Sequence, residues 1–400
     1  MRGSEALAPD LLPPGRQPVI IAARRTPVCR TNGALRGLRP HALLAPVLRE
    51  LVTDAGVDAS AVTDVVVGNA VGGGGNVARY ALLEAGFPVG VPGLTVDRQC
   101  GSGLDAIVLA GGLVAAGGNP LYLAGGVEST STAPLRAYQD DDGVPEFFAR
   151  ARFVPADFGD PDMGVAAENV AKRFGVGRER QDGFALRSHQ RALAAAAAGR
   201  FAAETVPLAG PGGTVAADDG PRRGLSPAVM ARFPAAFVEG GSVTAGNSCF
   251  DADAASAVVI TSLRRARELG ASDGLLVVGT ATSGVEPQLL GVGAAAAARK
   301  VLAAAEVKPG RLDLVEFNEA FAAQALASLD LLGIDPAAAN LDGGALALGH
   351  AYGASGAVLV TRLLAQAREA DRPGLLALAM ISIAGGMGTA ALMQYVKLRD

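Results

Sequence analysis

The chain has 400 residues, of which 50% are hydrophobic and 18% charged, and its formal net charge is −4. This length suits two to three domains or one large fused core, filled mainly by Ala, Val and Leu. Charges of both signs are scattered and no apolar run of membrane-spanning type is apparent. We therefore expect a cytoplasmic protein with no nucleic-acid or membrane partner.

The cysteines are few, odd in number and far apart: Cys29, Cys100 and Cys249. Such a set is typical neither of a disulfide framework nor of a zinc site, so we predict no metal. Residues 1–17 carry Pro and Gly without an apolar segment of the secretory type. We interpret them as a leader that precedes the folded core.

Short β-rich runs alternate with longer Ala/Leu-rich runs, which predicts an α/β fold with parallel strands. The predicted strands are 19–21, 64–67, 121–123, 275–278 and 314–317. The predicted helices are 41–55, 104–116, 164–174, 178–198, 299–305 and 354–368.

An internal duplication runs through these elements. Residues 64–69 (DVVVGN) mirror residues 313–318 (DLVEFN), with Asp and Asn at matching offsets. About thirty residues later each copy has a Gly-rich strand-to-helix turn, one with Cys100 and the other with His350. If the copies pack about a pseudo-twofold axis, these two side chains point into one shared cavity.

Two further features complete the predicted domain organisation. Each copy then has an apolar strand that is expected to end in two glycines, at 123–126 and 383–386. Residues 129–245 lie outside the repeat and read as an inserted lobe that could cover the cavity. The predicted division is a leader (1–17), an N-terminal half (18–128), the inserted loop domain (129–245), a return to the N-terminal half (246–271) and a C-terminal half (272–400).

Cys100 is the candidate nucleophile. It follows a strand-like segment, small residues flank it, and a predicted helix begins just after it. The free N–H groups and the dipole of a helix start favour a thiolate, which acyl transfer requires. A lone cysteine is, however, more often a small buried hydrophobe.

The remaining candidates are one histidine and one asparagine. His350 lies among small residues at a predicted helix start, which leaves room for a substrate. Asn318 closes a predicted strand and, taken alone, would indicate a turn asparagine. The other histidines, His41 and His189, lie on helices with charged neighbours, and we expect them to be surface or capping residues.

Together these motifs resemble the thiolase superfamily, from about Pro18 to the C-terminus. The resemblance rests on residues 22–27 (AARRTP), 100–103 (CGSG), 125–129 (GGVES), 163–164 (MG), 188–191 (SHQR), 244–248 (TAGNS), 318–321 (NEAF) and 343–356 (GGALALGHAYGASG). It implies a five-layer α-β-α-β-α thiolase fold with an inserted loop domain that binds coenzyme A. It also implies assembly as a homodimer or homotetramer.

The resemblance also implies a role for each site residue. Cys100 corresponds to the acyl-accepting nucleophile, and His350 to its activating base and a member of an oxyanion hole. Asn318 corresponds to the residue that positions a water completing that hole. The backbone N–H groups of Cys100 and Ala384 would form a second oxyanion hole.

The sequence departs from the family pattern at the second catalytic residue. Thiolases carry a cysteine there, in a Cys-x-Gly-Gly-Gly turn, and use it for proton transfer at the α-carbon of an acyl-CoA. This chain has Ser382, followed by Ala384 where glycine is usual. An alcohol is a far weaker acid than a thiol, so Ser382 should be poor at this task. The sequence leaves open whether Ser382 is a natural divergence or an engineered change.

The coenzyme A contacts implied by the resemblance also differ in part. The predicted contact residues are Met163, Arg222, Ser248, Cys249 and Phe250. Arg222 matches the arginine that flanks the adenine in relatives. Cys249 and Phe250 replace the Ser-Gly pair that lines the pantetheine channel, and Phe250 would narrow or redirect it. We expect no permanently bound cofactor, with a coenzyme A thioester, or an acyl carrier protein in its place, as substrate.

Three functions remain open at this point. The first is a thiolase-like acyltransferase in which Cys100 takes an acyl group from a thioester and passes it to an acceptor, with weak or no ordinary thiolase activity. The second is an ordinary acetyl-CoA acetyltransferase or 3-ketoacyl-CoA thiolase. The third is a non-catalytic binding protein, which would have no need for Cys100, Asn318 and His350 together.

Overall fold

The computed structural model describes residues 12–399. Within these residues the strands are β1 (Pro18–Arg25), β2 (Cys29–Arg30), β3 (Asp64–Gly68), β4 (Gly93–Val96), β5 (Leu121–Ser129), β6 (Arg136–Gln139), β7 (Pro145–Phe148), β8 (Leu208–Gly210), β9 (Gly213–Val215), β10 (Ala252–Ser262), β11 (Asp273–Gly284), β12 (Leu314–Phe317), β13 (Leu376–Ile383) and β14 (Met387–Lys397). The helices are α1 (Pro40–Asp54), α2 (Val77–Glu84), α3 (Ser102–Ala116), α4 (Met163–Phe174), α5 (Arg178–Ala197), α6 (Pro227–Met230), α7 (Leu263–Glu268), α8 (Gly293–Ala304), α9 (Ala322–Leu332), α10 (Ala345–Leu348) and α11 (Tyr352–Ala370).

Every predicted strand and helix is present, and most of them are longer than predicted. Helix α8 begins at Gly293 because the Ala-rich run before residue 299 favours a helix without showing apolar periodicity. Strand β5 continues through Gly125 and Gly126 to Ser129. A side chain at Gly126 would collide with the carbonyl of Gly353, so this glycine permits a close backbone approach and does not end the strand.

One ten-stranded sheet contains both copies of the duplication. Its order is β12-β13-β14-β11-β1-β10-β5-β3-β4, with β2 paired to β10. In the N-terminal half β3 is parallel to β4 and β5, and β10 is antiparallel to β5 and β1. In the C-terminal half β12 is parallel to β13, and β14 is antiparallel to β13 and β11. The halves join where β1 pairs with β11 in antiparallel fashion, as a pseudo-twofold axis requires.

The strand register shows which residues are equivalent in the two halves. The matching pairs are Val65 with Leu123 and Leu314 with Ala377. Counting along β5 and β13 from these pairs makes Glu128 the equivalent of Ser382. The glycine pairs at 125–126 and 385–386 are therefore not equivalent, and the predicted mirror between them is wrong. Their similar sequences hide different roles, one inside a strand and the other in the turn after a strand.

Five layers follow from the packing of helices on the two half-sheets, as predicted. Helices α1 and α2 cover the N-terminal half-sheet, and α8 with α9 covers the C-terminal half-sheet. Helices α3 and α11 pack against each other between them. By length and composition the stretch Gln99–Ala116 could span a membrane, but more than half of it is buried. Its place in the middle layer accounts for that apolar composition.

The segment between β5 and β10 stands apart from the large sheet. It contains helices α4, α5 and α6 and the hairpins β6–β7 and β8–β9, whose strands pair with each other. Of the predicted leader, residues 1–11 lie outside the described residues. Gln17 accepts a hydrogen bond from the Leu263 backbone N–H, which ties the end of this segment to α7. The domain boundaries themselves stay a prediction.

Candidate active site

Cys100 lies in a tight turn between β4 and α3. The preceding residue, Gln99, has a left-handed backbone with φ of 47°, which is strained for a residue with a side chain. The Ser102 hydroxyl holds this turn, because it donates to the Gln99 carbonyl at 2.6 Å and accepts from the Arg98 N–H at 2.8 Å. The turn packs against α11 and β13, so the nucleophile of the N-terminal half faces the C-terminal half.

The surroundings of the Cys100 thiol oppose its ionisation. Burial raises its pKa to about 11. The backbone N–H groups of Ala384 and of Cys100 itself donate toward the sulfur and lower the pKa, while the charges of Glu128 and Asp251 raise it further. Burial outweighs the helix start that was expected to favour a thiolate. The thiol is therefore protonated at pH 7 and needs a base.

His350 can be that base. Its imidazole is only 3% exposed, and burial lowers its pKa to about 4, so the ring is neutral at pH 7. Nδ1 lies 2.7 Å from the Ser355 hydroxyl, which itself donates to the Ala351 carbonyl at 3.2 Å. The hydroxyl can then only accept from Nδ1–H, which leaves Nε2 as the unprotonated nitrogen. Nε2 is buried and has no hydrogen-bond partner among residues 12–399.

Asn318 has the same unusual property. It follows β12, and its backbone N–H donates to the Met380 carbonyl at 3.2 Å. The side chain is 2% exposed, yet its amide nitrogen Nδ2 has no partner in the part of the chain that the structure describes. Buried polar atoms are nearly always hydrogen-bonded. Two of the five exceptions among residues 12–399 are thus on the predicted base and the predicted oxyanion residue.

Ser382, in contrast, is fully engaged. Its hydroxyl donates to the Gly291 carbonyl at 2.7 Å and accepts from the Ala294 N–H at 3.1 Å. The Gln324 side-chain amide donates to it as well, at 3.4 Å. A hydroxyl whose proton is held by a carbonyl and whose lone pairs are occupied has nothing to offer a substrate.

Two residues that sequence reasoning missed lie beside Cys100 and His350. The Tyr352 ring packs edge-on against the His350 imidazole, with ring centroids 5.1 Å apart at 88°. The Tyr352 hydroxyl donates to Asp251 Oδ1 at 2.5 Å. Burial, then the charges of Asp251, Cys100 and Cys249, raise the Tyr352 pKa, so these four groups lie within electrostatic reach of one another. Tyr352 stands inside the quoted motif, but nothing in the sequence links it to Asp251.

A separate cavity contains most of the predicted coenzyme A contacts. Arg222, Ser248 and Phe250 line it together with His189. Met163 lies outside this cavity, at the start of α4. The predicted contact Cys249 instead lies within electrostatic reach of Cys100, and burial raises its thiol pKa.

His189 is not a surface residue, which corrects the prediction for it. It is 4% exposed, and its Nδ1 accepts a hydrogen bond from the Arg222 backbone N–H at 3.2 Å. Burial and the nearby charges of Arg222 and Arg30 lower its pKa to about 4, so it is neutral. Its charged neighbours in sequence occupy other faces of α5, which misled the prediction.

Phe250 lines this cavity and packs against two other parts of the chain. The Arg30 guanidinium lies 4.8 Å from the centroid of its ring. A β-carbon placed on Gly349, the residue before His350, would come within 2.7 Å of the same ring. That Phe250 narrows the approach to Cys100 stays a prediction.

His41 lies on α1, where its Nδ1 is 2.5 Å from Glu84 Oε2. No group of three or more His, Cys, Asp or Glu side chains within residues 12–399 is placed to hold a metal ion.

Comparisons with known proteins find relatives over nearly the whole chain. Residues 18–264 match the thiolase N-terminal domain, and residues 275–395 match the thiolase C-terminal domain. A Staphylococcus epidermidis protein named "Putative acetyl-CoA C-acetyltransferase VraB" is 41% identical over 95% of this chain and 98% of its own length. The protein of that name from Staphylococcus aureus is 41% identical, over 94% of this chain and 98% of its own length. The crystal structure of the Bacillus anthracis acetyl-CoA acetyltransferase superposes with a TM-score of 0.87 at 33% identity, covering 95% of this chain and 99% of that one.

Proposed function

Since the chain belongs to the thiolase family, we propose that it is an acyltransferase that carries its acyl group on Cys100 and has weak or no ordinary thiolase activity. The acyl donor is an acyl-CoA, or an acyl carrier protein in its place. The observation that carries the proposal is the pair of buried, unpartnered atoms, His350 Nε2 and Asn318 Nδ2. Such atoms are costly in a folded protein, and a role toward a substrate is one reason for a protein to keep them.

The first half-reaction follows from the states of the two groups. Neutral His350 takes the thiol proton through Nε2, and the Cys100 sulfur attacks the thioester carbonyl carbon. The tetrahedral oxyanion is stabilised by hydrogen-bond donors near the sulfur, among them the N–H groups of Cys100 and Ala384. The carbon–sulfur bond to the donor then breaks. The departing thiolate takes the proton from His350, and the acyl group stays on Cys100.

The second half-reaction separates this protein from an ordinary thiolase. Carbon–carbon bond formation between two acyl-CoAs needs a base for the α-proton of the second one. Ser382 occupies the position implied for that base, and its hydroxyl is committed to Gly291, Ala294 and Gln324. We therefore expect acylation of Cys100 to continue while condensation and thiolysis are slow.

The second candidate is an ordinary acetyl-CoA acetyltransferase. The names of the Staphylococcus and Bacillus proteins favour it, because they refer to acetyl-CoA and to acetyl transfer. The third candidate, a non-catalytic binding protein, gains no support from the site, since a binding role gives no reason to leave His350 and Asn318 unpartnered.

The donor site belongs to the same proposal. Arg222 and Ser248, with neutral His189 beside them, would contact the coenzyme A or phosphopantetheine arm in the cavity that they line. Phe250 would make the passage from there to Cys100 narrow. Assembly as a homodimer or homotetramer, as the resemblance implies, is part of this proposal.

Intact-mass spectrometry after incubation with acyl-CoAs of increasing length and with acyl carrier proteins tests it. We expect an increase equal to one acyl group, which maps to Cys100 and is lost in Cys100→Ala. Cys29→Ala is the matched control, because Cys29 is a buried cysteine outside the site, and it should acylate like the unmodified chain. An adduct that survives in Cys100→Ala would contradict the proposal.

A further inference from the structure

The site contains an acid–base pair that the first half-reaction does not use. Asp251 is exposed to solvent, and its backbone pairs directly with that of His350. The flanking hydrogen bonds run from His350 N–H to the Phe250 carbonyl at 2.8 Å and from Ala252 N–H to the His350 carbonyl at 3.2 Å. A carboxylate is thus fixed beside the catalytic histidine by the backbone.

Tyr352 orients this carboxylate. Its hydroxyl donates to Oδ1 of Asp251, and its ring is held against the His350 imidazole. Burial and the charge of Asp251 raise the pKa of the phenol, so Tyr352 stays protonated and acts as a hydrogen-bond donor. Oδ2 of Asp251 has no hydrogen-bond partner among the described residues, which leaves it free to accept a proton.

We propose that Asp251, oriented by Tyr352, is the general base that transfers the acyl group from Cys100 to a hydroxylic acceptor, either water or an alcohol. This inference rests on the proposed acylation of Cys100 and names the acceptor class for it. The supporting observations are the free carboxylate oxygen, its solvent exposure and its fixed position beside His350. Because the Ser382 hydroxyl is already hydrogen-bonded within the protein, it is not available as the base for this step.

The step balances as follows. The acceptor oxygen forms a bond to the acyl carbon of the Cys100 thioester while its proton passes to Asp251 Oδ2. The tetrahedral oxyanion collapses, the carbon–sulfur bond breaks, and Cys100 leaves as a thiolate. The proton held by Asp251 then neutralises that thiolate. The net change converts the acyl-thioester and R–OH into an ester or acid and the free thiol.

Solvent exposure favours a hydroxylic acceptor over a carbon acid. Water and alcohols reach Asp251 directly, and their proton leaves together with bond formation. An α-carbon proton is far less acidic, and enzymes that remove one tune a desolvated base for it. Asp251 is exposed, so the geometry suits the first kind of acceptor.

The experiment starts from protein acylated on Cys100 and freed of donor, and follows loss of the adduct by intact mass in buffer with and without ethanol or glycerol. In Asp251→Asn we expect deacylation to slow by about 10²-fold, at least tenfold more than acylation slows. Asp251→Glu should recover part of the rate, and formate should rescue Asp251→Ala. Asp141→Asn, which changes an exposed carboxylate in the β6–β7 hairpin, is the matched control and should deacylate like the unmodified chain.

Tyr352→Phe tests the positioning role. Loss of the donor leaves Asp251 Oδ1 without its hydrogen bond, so deacylation should slow by about tenfold while acylation of Cys100 keeps its rate. Formate should restore deacylation in Asp251→Ala but not in the double variant Asp251→Ala/Tyr352→Phe to the same extent. Equal slowing of acylation and deacylation in Tyr352→Phe would mean that Tyr352 is only structural.

The outcomes separate the two proposals. Normal deacylation in Asp251→Asn would overturn this inference and leave Cys100 acylation standing. If Asp251→Asn instead abolished exchange of the α-hydrogens of acetyl-CoA with solvent while deacylation stayed normal, Asp251 would be a carbon base and the hydroxylic acceptor would be wrong. If no donor acylates Cys100, the proposed function fails and this inference fails with it.

Discussion

The two halves of the molecule each have an asparagine at the equivalent position, and the two side chains differ in their hydrogen bonds. Asn69 follows β3, and its side-chain amide donates to the Glu128 carboxylate at 2.7 Å and to the Val127 carbonyl at 2.9 Å. Asn318 follows β12 at the equivalent place, and its Nδ2 has no partner among residues 12–399. The residue equivalent to Glu128 is Ser382, which bonds elsewhere. In the N-terminal copy the asparagine amide is hydrogen-bonded within the protein. In the C-terminal copy the equivalent donor has no partner among the described residues, and we propose that it serves a substrate.

The N-terminal copy also stabilises part of the C-terminal copy. The Glu128 carboxylate is fully buried and accepts from the Gly353 N–H at 3.0 Å, three residues beyond His350. It therefore anchors the first turn of α11, which begins two residues after His350. The duplication gives two halves with similar backbones, and a few side chains at equivalent positions give the halves different roles.

Of the substitutions considered, His350→Ala should have the largest effect on the rate of acylation. It removes the base for a thiol whose pKa burial raises to about 11, so we expect acylation to slow by about 10²–10³-fold. Rapid-quench mass spectrometry measures the rate, and a thermal melt checks that the fold is kept. Acylation at the unmodified rate would place the catalytic base elsewhere.

Matched substitutions of the two asparagines sharpen the comparison most directly. Asn318→Ala should slow acylation by about 10²-fold with little loss of stability, because its Nδ2 has no hydrogen-bond partner among residues 12–399. Asn69→Ala should lower the free energy of unfolding by about 1–3 kcal/mol, because the buried Glu128 carboxylate loses a donor. Urea unfolding and acylation kinetics on both variants are the measurements. Equal effects on stability and rate in the two variants would end the distinction between the halves.

Ser382→Cys, in the C-terminal half, should raise the rate of thiolysis. A thiol can be tuned as a base, and its weaker hydrogen bonds hold it less firmly to Gly291 and Ala294. We expect acetoacetyl-CoA thiolysis to rise by about tenfold if Ala384 and Phe250 leave room for the substrate, with about 1 kcal/mol lost in stability. Ser382→Ala is the control, since it loses the same bonds without gaining a base. Equal thiolysis in the two variants would show that residue 382 does not set this activity.

The smallest expected effect is on the pH dependence of acylation. Burial lowers the pKa of His350 to about 4, below the ordinary 6.5, so the ring stays neutral as pH falls from 7 to 5. The acylation rate should therefore change by less than about twofold in that range and fall only near pH 4. Stability should behave differently, because the unfolded chain protonates His350 near pH 6.5 and the folded chain only near pH 4. The contribution of this residue to the free energy of unfolding is therefore present above pH 6.5 and is lost as pH falls from 6.5 toward 4. An acid limb near pH 6.5 would indicate a solvated His350.

Local motifs made the fold predictable, and they indicated Cys100 and His350 as candidates for the nucleophile and its base. Cys100 and His350 each stand in a short glycine-rich turn, and the five layers followed from the resemblance that those turns support. The equivalence of Glu128 and Ser382 was not predictable, because the similar glycine pairs suggested another register. The Asp251–Tyr352 bond joins residues 101 positions apart, and no periodicity reports such a contact. The burial of His189 likewise depends on how α5 packs.

The most direct test combines two measurements on the unmodified chain. Cys100 acylation is followed by intact mass and acetoacetyl-CoA thiolysis by absorbance, with the same preparation and the Bacillus anthracis enzyme as reference. Our account predicts an acyl adduct on Cys100 together with thiolysis at least about 10²-fold below the reference. Thiolysis at the reference rate would contradict it and would show that the committed Ser382 hydroxyl does not prevent ordinary thiolase chemistry.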